Sequence, residues 1–323
     1  MNSRSRRLAA VAIAAVASAL LTAGTASPAR APHVKSTKAL VSCINASTPQ
    51  LNRFSAISKL TYGISARGER VEPDLGQTPS DLPAPAKGKA GKNFSATVPV
   101  FFHVITDGSL GNISNKVISD QLQVLNLSFA GFYGGARSGF KFTLAGVDRT
   151  NNADWYNASS SSNAARDMKR ALRTGGPNML NVYTATAGPG LLGYAYLPDI
   201  TTKPGQEYLD GIVINWESMP GASTSFAGRY DLGQTLTHES GHWFDLEHTF
   251  SGACNAKGDF VDDTPAEGTP TSGCPAGKDT CPKDPGLDPI HNYMDYSYDA
   301  CYEEFTAGQV QRMRDAWLLY RAP

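Results

Sequence analysis

Residues 237–248 read THESGHWFDLEH, and this stretch holds three of the six histidines in the 323-residue chain. On an α-helix, His238 and His242 lie four positions apart, so their imidazoles project from one face and can bind the same metal ion. Glu239 is adjacent, where its carboxylate can reach a water molecule on that ion without being a ligand. His248 can join the other two histidines only if the helix ends and the chain then turns sharply.

The predicted turn falls near Asp245. A residue in the left-handed region of backbone space would reverse the chain there, and Asp adopts this conformation more readily than most residues other than Gly. The strain is on the order of 1 kcal/mol, which a metal ligand and a packed core can offset. We therefore expect a positive φ at Asp245 and a third ligand at His248.

Three neutral imidazoles leave the fourth tetrahedral position of Zn²⁺ open, as a catalytic site requires. A metal-activated water would attack there, with Glu239 as the general base that later passes the proton to the leaving group. From average composition, a chance HExxH occurs in roughly one chain of this length in a hundred. A purely structural zinc site would favour a closed set of four ligands rich in Cys. The pattern thus predicts a hydrolytic zinc centre.

The stretch resembles the extended zinc motif of the metzincins, HExxHxxxxxH. Its continuation into Thr249 and Phe250 resembles the pappalysin family of secreted metalloproteases. Three further segments are similar to that family: NYMDY at 292–296, which corresponds to its Met-turn, GLLGYA at 190–195 and DGIV at 210–213. The resemblance extends over about residues 95–320.

The resemblance implies an α+β, metzincin-like zincin fold with a twisted mixed sheet, an active-site helix and an irregular, disulfide-stapled C-terminal subdomain. It implies a secreted zinc endopeptidase whose protein or peptide substrate binds in extended form along the strand near 192–197. Met294 would form the apolar floor beneath the imidazoles, and Tyr296 would stabilise the oxyanion. A core methionine and an ordinary buried tyrosine are the alternative interpretations. Asp245 departs from the metzincin pattern, which has Gly there.

Four of the five cysteines cluster near the C-terminus: Cys254, Cys274, Cys281 and Cys301. In an exported protein they would form two disulfides, for which three pairings are possible. The resemblance implies the interleaved pairing, Cys254–Cys281 with Cys274–Cys301. These bridges would hold the Pro- and Gly-rich stretch 251–291 in a fixed shape.

Residues 258–265, GDFVDDTP, concentrate hard oxygen ligands. The resemblance implies a structural Ca²⁺ site there, to which Asp259, Asp263 and Thr264 would contribute. The spacing is not that of an EF-hand, so a solvated acidic turn is the competing interpretation.

The N-terminus has the order of a signal peptide: Arg6 and Arg7, an uncharged run over 8–21, then small residues up to Ala26. A membrane anchor is the alternative, but the run is shorter than the ~20 residues needed to cross a bilayer. We expect cleavage after Ala26 and export, with the paired arginines leaving twin-arginine export open.

Residues 27–94 are rich in Pro, Ser, Lys and Gly and lack an apolar period, so we expect a removable leader before a catalytic domain at 95–323. Cys43 in this leader is a candidate latency switch that would occupy the open zinc position. An unpaired bystander or an intermolecular disulfide would explain it equally well. Lys+Arg and Asp+Glu both number 29, so the protein has no overall charge that would favour binding to nucleic acid or to a membrane surface. We separately expect a monomer.

Hydrophobic periodicity predicts the remaining elements. The expected strands are 97–105, 140–147, 179–185 and 211–216, and the expected helices are 114–131, 163–173 and 306–320.

Two other functions compete with the endopeptidase. An exported, non-catalytic binding module could retain the fold, but it predicts a damaged motif, and Glu239 and the three histidines are intact. A zinc hydrolase that cleaves a non-peptide bond is the third hypothesis, which the Met-turn segment disfavours.

Overall fold

The computed structural model describes residues 90–188, 190–222, 225–255 and 258–323. The predicted signal peptide, Cys43 and the leader up to residue 89 lie outside these ranges. Ala90 already donates its backbone N–H to Asp315 Oδ1, at 2.7 Å. The chain therefore packs on the C-terminal helix a few residues before the domain boundary predicted at Ser95. None of the helices in the described ranges combines the length and apolar character that a membrane span requires.

A five-stranded sheet forms the centre of the fold, in the order β2-β1-β3-β5-β4. The strands are β1 (Ala96–Thr106), β2 (Phe140–Asn151), β3 (Leu180–Ala185), β4 (Gly193–Ala195) and β5 (Ile212–Asn215). All neighbours pair in parallel except β4, which runs antiparallel to β5 at the edge of the sheet. The mixed sheet confirms the predicted α+β class.

In the described ranges, five α-helices accompany the sheet: α1 (Asn115–Phe129), α2 (Ala153–Tyr156), α3 (Asn163–Leu172), α4 (Gln234–Trp243) and α5 (Ala307–Ala316). Ser114 caps α1, because its side chain accepts a hydrogen bond from Val117 N. A capping box formed by Thr306 and Gln309 opens α5. A π-helical turn, Trp317–Arg321, extends the last helix beyond its predicted end.

Both faces of the sheet are covered, as parallel strands require. Along β1, Val100, Phe102 and Val104 alternate into a core shared with the helices α1, α4 and α5. Ile105 belongs to a second core on the opposite side, with Met168 of α3. Every residue of α4 is buried, so the helix with the HExxH residues is a central element of the protein.

The N-terminus of α4 is fixed by polar contacts. Gly233 precedes the helix with φ +87°, and its carbonyl accepts a hydrogen bond of 2.8 Å from Gln121 Nε2. Asp299 Oδ2 accepts the backbone N–H of Leu232 at 2.9 Å and of Gln234 at 3.3 Å. Asp299 is 3% exposed, and burial raises its pKa to about 7.

The chain between α4 and α5 has little regular structure, and the Asp299–Cys301 turn is the one 3-10 segment in its described part. Disulfides join Cys254 to Cys281 and Cys274 to Cys301. This is the pairing that the family resemblance implies. The bridges hold a Pro- and Gly-rich region that has few backbone ladders of its own.

The C-terminal end of the chain is held by a buried ion pair. Arg321 Nη2 lies 3.1 Å from Asp210 Oδ1, and neither side chain is exposed. Arg321 Nε also donates to Trp243 O, at 2.9 Å, and the guanidinium stacks 3.4 Å from the centroid of that indole. One side chain thereby ties the C-terminus to the end of α4 and to Asp210, two residues before β5.

We expect Arg321→Met to lower the free energy of unfolding by about 3–5 kcal/mol, because it leaves the Asp210 carboxylate buried without its main partner. Urea denaturation followed by tryptophan fluorescence measures this. Lys116→Met is the control, since Lys116 is 80% exposed in its ion pair with Asp120 and should contribute little. Equal stability of the two variants would contradict the structural role of Arg321.

Candidate metal centre

The imidazoles of His238, His242 and His248 converge on one point. The distance between Nε2 atoms is 3.1 Å for His238 and His248, 3.2 Å for His242 and His238, and 3.0 Å for His242 and His248. In a tetrahedral site with Zn–N bonds of about 2.0–2.1 Å, ligand nitrogens lie roughly 3.3 Å apart. The three nitrogens therefore have the spacing that a single zinc ion requires.

The other ring nitrogen of two histidines is bound by backbone. His238 Nδ1 lies 2.6 Å from Tyr293 O, and His242 Nδ1 lies 2.7 Å from Leu246 O. A carbonyl only accepts hydrogen bonds, so each Nδ1 carries the hydrogen and each Nε2 presents its lone pair to the centre. Lone pairs at this distance repel one another unless a cation lies between them. The donor set thus fits zinc.

The chain reverses at Asp245, as predicted. Its φ is +82°, and Leu246 N then donates to Gly241 O at 2.9 Å, which closes the turn after α4. Arg312 of α5 holds the turn from outside, because its Nε donates to Asp245 O at 2.6 Å and its Nη2 lies 2.9 Å from Asp245 Oδ2. The strained backbone is therefore fixed on both its carbonyl and its side chain before the chain reaches His248.

The segment that resembles a Met-turn contacts the chain beside two of the three histidines. Its backbone contacts both sides of the site: Tyr293 O accepts from His238, and Met294 O accepts the backbone N–H of Thr249 at 3.2 Å. Met294 is fully buried, and its sulfur lies so close to Gly241 that a Cβ at that position would overlap it. The segment therefore connects His238, the residue after His248 and Gly241 of α4.

Glu239 lies between the metal centre and the edge strand of the sheet, and it is 6% exposed. A Cβ added to Gly193 of β4 would come within 2.8 Å of Glu239 Oε1. A larger residue at Gly193 would therefore displace this carboxylate. The close approach places β4 next to the predicted general base. The resemblance implies that the substrate binds along this strand.

The residues behind β4 form a cationic support. Lys169 is buried, and its Nζ donates to Leu209 O at 2.6 Å and to Gly211 O at 2.9 Å. The ammonium also lies 5.4 Å from the Tyr194 ring and 5.1 Å from the Tyr196 ring, within cation–π range. Burial lowers the pKa of Lys169 to about 7. These contacts hold the edge strand against the sheet.

The Tyr296 ring stands beside the histidines. Ring centroids are 4.9 Å apart for Tyr296 and His248 and 5.7 Å apart for Tyr296 and His238. The Phe250 ring stacks on His248, with 4.7 Å between ring centroids, and lies 4.9 Å from the Tyr296 ring. This position allows the functional role that the resemblance implies for Tyr296.

The three residues of the predicted calcium site form contacts within the protein. Asp259 Oδ1 accepts Val261 N at 3.1 Å, and burial raises the pKa of Asp259 to about 7, while this hydrogen bond opposes the rise. Asp263 caps α5, because its two carboxylate oxygens accept from Thr306 Oγ1 at 2.6 Å and from the backbone N–H of Gly308 at 2.8 Å. The calcium site stays a prediction.

Sequence reasoning did not identify three residues that shape this site: Gly193, Lys169 and Arg312. None of them belongs to the motif, and each acts through a residue far away along the chain. The glycine had a usable signal, because it lies in the segment that resembles the family. Arg312 lies on a helix whose apolar positions explained it as core packing, so its contact with Asp245 had no local signal.

Known proteins resemble this chain over the region that contains the three histidines. A peptidase family model, described as pregnancy-associated plasma protein-A, matches residues 183–317. An extracellular metalloprotease of Arthroderma benhamiae is 44% identical over 281 residues, which are 83% of this chain and 90% of the relative. Another of Neurospora crassa is 46% identical over 241 residues, or 73% of this chain and 80% of the relative. The chain belongs to the pappalysin family.

Solved structures agree with that family. Mature mirolysin of Tannerella forsythia, in complex with a cleaved peptide, is 33% identical with a TM-score of 0.59, covering 68% of this chain and 91% of that chain. A mutant of promirolysin from the same organism is 27% identical with a TM-score of 0.59, covering 87% of this chain and 92% of that chain. The metzincin-like fold is thus confirmed, and the pappalysin-family chain is a zinc metalloendopeptidase.

We expect Asp245→Gly to retain stability and zinc, because Gly removes the left-handed strain while the Arg312 bond to the carbonyl remains. Asp245→Val should be less stable than Asp245→Gly by about 1–3 kcal/mol, since a β-branched residue is strained at positive φ. Thermal unfolding and zinc competition with a chelating dye measure both effects. Equal behaviour of the two variants would show that the turn does not depend on this conformation.

Proposed function

We propose that this endopeptidase binds its zinc through His238, His242 and His248 and cleaves peptide bonds with Glu239 as general base. The observation that supports this most directly is the convergence of three Nε2 atoms beside a buried carboxylate. When bound, zinc would polarise the scissile carbonyl and make a water molecule acidic enough to react near neutral pH. All other roles belong to residues of the chain.

The Glu239 carboxylate would take a proton from the attacking water and deliver it to the amine that leaves. Its burial beside Gly193 suits this role, because a carboxylate held against the edge strand has a fixed direction toward the substrate. Met294 would keep the imidazoles at their height, and the two backbone carbonyls that accept from Nδ1 would hold their orientation.

The edge position of β4 supports binding of an extended substrate as an additional strand. β4 pairs with β5 on one side only, and α4 packs against it, so its outer edge borders the metal centre. A peptide on this edge would form backbone hydrogen bonds and present one carbonyl to the site. The phenol of Tyr296 would then donate to the oxyanion that forms on that carbonyl.

The enzyme acts outside the cell on proteins or peptides, as do the relatives named extracellular metalloproteases. We further propose that residues 1–26 direct export and that 27–94 form a leader removed from the catalytic domain. Cys43 remains a candidate for latency. We also propose that a calcium ion binds near Asp259. We propose further that the mature form is a monomer that binds neither nucleic acid nor membranes.

We expect Glu239→Gln to lower kcat/KM on casein by about 10²–10⁴-fold, the usual contribution of a general base. Zinc content should be unchanged, because this residue is not a ligand. Removal of the metal with 1,10-phenanthroline should abolish wild-type activity, and added zinc should restore it. Hydrolysis assays and metal analysis of the same preparations measure both effects.

Glu207→Gln is the matched control, since Glu207 is an exposed glutamate outside the site, and it should retain full activity. Undiminished activity of Glu239→Gln would refute the assigned base. If wild type binds one zinc but cleaves no protein or peptide, the chain is the binding module; cleavage of esters alone would identify the non-peptide hydrolase.

We expect Tyr296→Phe to lower kcat by about 10²-fold, the scale for losing one oxyanion donor, with KM nearly unchanged. The aromatic ring that packs on His248 remains, so zinc affinity should not fall. Tyr298→Phe is the control, because Tyr298 lies in the same loop and packs on Tyr230 instead. An unchanged kcat in Tyr296→Phe would leave this tyrosine with a packing role alone.

A further inference from the structure

Lys278 lies in the disulfide-stapled region, and its ammonium is surrounded by four oxygen atoms. Nζ is 2.8 Å from Glu267 Oε1 and 2.9 Å from Asp288 Oδ2. It is also 2.5 Å from Thr269 O and 2.9 Å from Thr271 Oγ1. An ammonium has only three hydrogens, so four oxygens at these distances surround the charge as they would surround a metal cation. We call these four groups the oxygen cage.

The two carboxylates of the cage are buried, and their charge exceeds that of the single ammonium. The side chains of Glu267 and Asp288 are fully buried, and that of Lys278 is 17% exposed. Two carboxylates face one ammonium, and repulsion from Asp295 adds to the burial that raises the pKa of Glu267 to about 7. Buried charges of one sign are costly unless a cation compensates them. Removal of the Lys278 charge would therefore leave the cage strongly destabilised.

The cage is connected directly to the third zinc ligand. Glu267 Oε2 accepts a hydrogen bond of 2.7 Å from Thr249 Oγ1, and Thr249 is the residue after His248. The same glutamate contributes its other oxygen to Lys278. A shift of the Glu267 side chain would therefore be transmitted through one hydrogen bond to the backbone that positions His248.

A second connection reaches the Met-turn. Thr271 N donates to Asp295 Oδ1 at 2.9 Å, and Asp295 stands between Met294 and Tyr296 in the chain. The same carboxylate oxygen accepts Tyr296 N at 2.7 Å. Thr271, whose hydroxyl belongs to the cage, thus fixes the segment that contains Met294 and Tyr296.

A third connection ends at a disulfide. Asp288 Oδ1 accepts the backbone N–H of Thr280 at 2.9 Å, and Thr280 precedes the bridged Cys281. Thr280 Oγ1 in turn accepts Gly268 N at 2.7 Å, and Gly268 follows Glu267. The cage is therefore linked to the Cys254–Cys281 disulfide, to Thr249 and to Asp295.

We propose that the Lys278 ammonium is the internal structural cation of this region: it fills an oxygen cage that would otherwise take a divalent ion and so positions His248 and the Met-turn. The cage holds two carboxylates, a carbonyl and a hydroxyl, which are the ligand types of Ca²⁺, and water could complete its coordination. Lys278 is a positioning residue. Its effect on the zinc ligands rests on the proposed metal centre, whereas its effect on the loop does not.

The test is the thermal unfolding midpoint of zinc-free protein with and without millimolar CaCl₂, the range in which extracellular calcium modules bind. Lys278→Ala should lower the midpoint by about 5–10 °C, because it leaves buried carboxylates without their cation. Calcium should restore at least half of this loss. Lys283→Ala is the matched control, since Lys283 is an exposed lysine of the same loop, and calcium should affect it as it affects wild type.

Thr271→Val provides a milder variant that keeps the ammonium in place. Its midpoint should fall less, and calcium should give it no more than the wild-type response, because Lys278 still occupies the cage. Lys278→Ala protein that folds only when it is produced with calcium supports the proposal. Lys278→Ala protein that gains no more from calcium than wild type overturns it, whatever its basal stability.

Zinc affinity, measured by competition with a chelating dye, tests the positioning role separately. Zinc should bind several-fold more weakly to Lys278→Ala than to wild type, and calcium should restore the affinity. Since the unfolding measurement uses zinc-free protein, it remains valid if the proposed catalytic roles fail. Calcium rescue of the midpoint with unchanged zinc affinity would retain the internal cation and overturn its link to His248.

Discussion

The metal centre depends on one reversal of the chain at Asp245. Without a left-handed residue there, α4 would continue and His248 would point away from the other two histidines. Asp245 adopts this left-handed conformation although it is not a glycine. Arg312 contacts both its carbonyl and its carboxylate. The cost of the strained backbone is offset by contacts that only the folded protein provides.

The geometry of the imidazoles is determined by buried backbone around them. Tyr293 O and Leu246 O orient two rings, and Met294 packs against Gly241 below. Because α4 is buried along its whole length, these contacts cannot adjust without disturbing the core. Such rigidity suits a catalytic zinc site, because surrounding packing and hydrogen bonds hold its ligands in the productive geometry.

Within the described residues, three cationic side chains with little or no exposure each hold a different element near the site. Lys169 supports the edge strand from behind, Arg321 ties the C-terminus to the end of α4, and Lys278 lies in the oxygen cage of the stapled loop. A buried ion pair contributes little net stability but is costly to break. Their common effect is to fix irregular segments in one arrangement, which the short strands and the loops could not do through backbone ladders alone.

The sequence by itself predicted the three histidine ligands, the turn at Asp245 and the class of reaction, because the spacing of His238, Glu239 and His242 is a local property of one helix. It also predicted the longer helices and the apolar strands, whose periodicity reflects burial. Only the tertiary structure placed Gly193 against Glu239, Arg312 against the turn and Lys278 among its four oxygens. These contacts join residues distant in the chain, and no local pattern records which of many charged side chains will be buried beside which carboxylate.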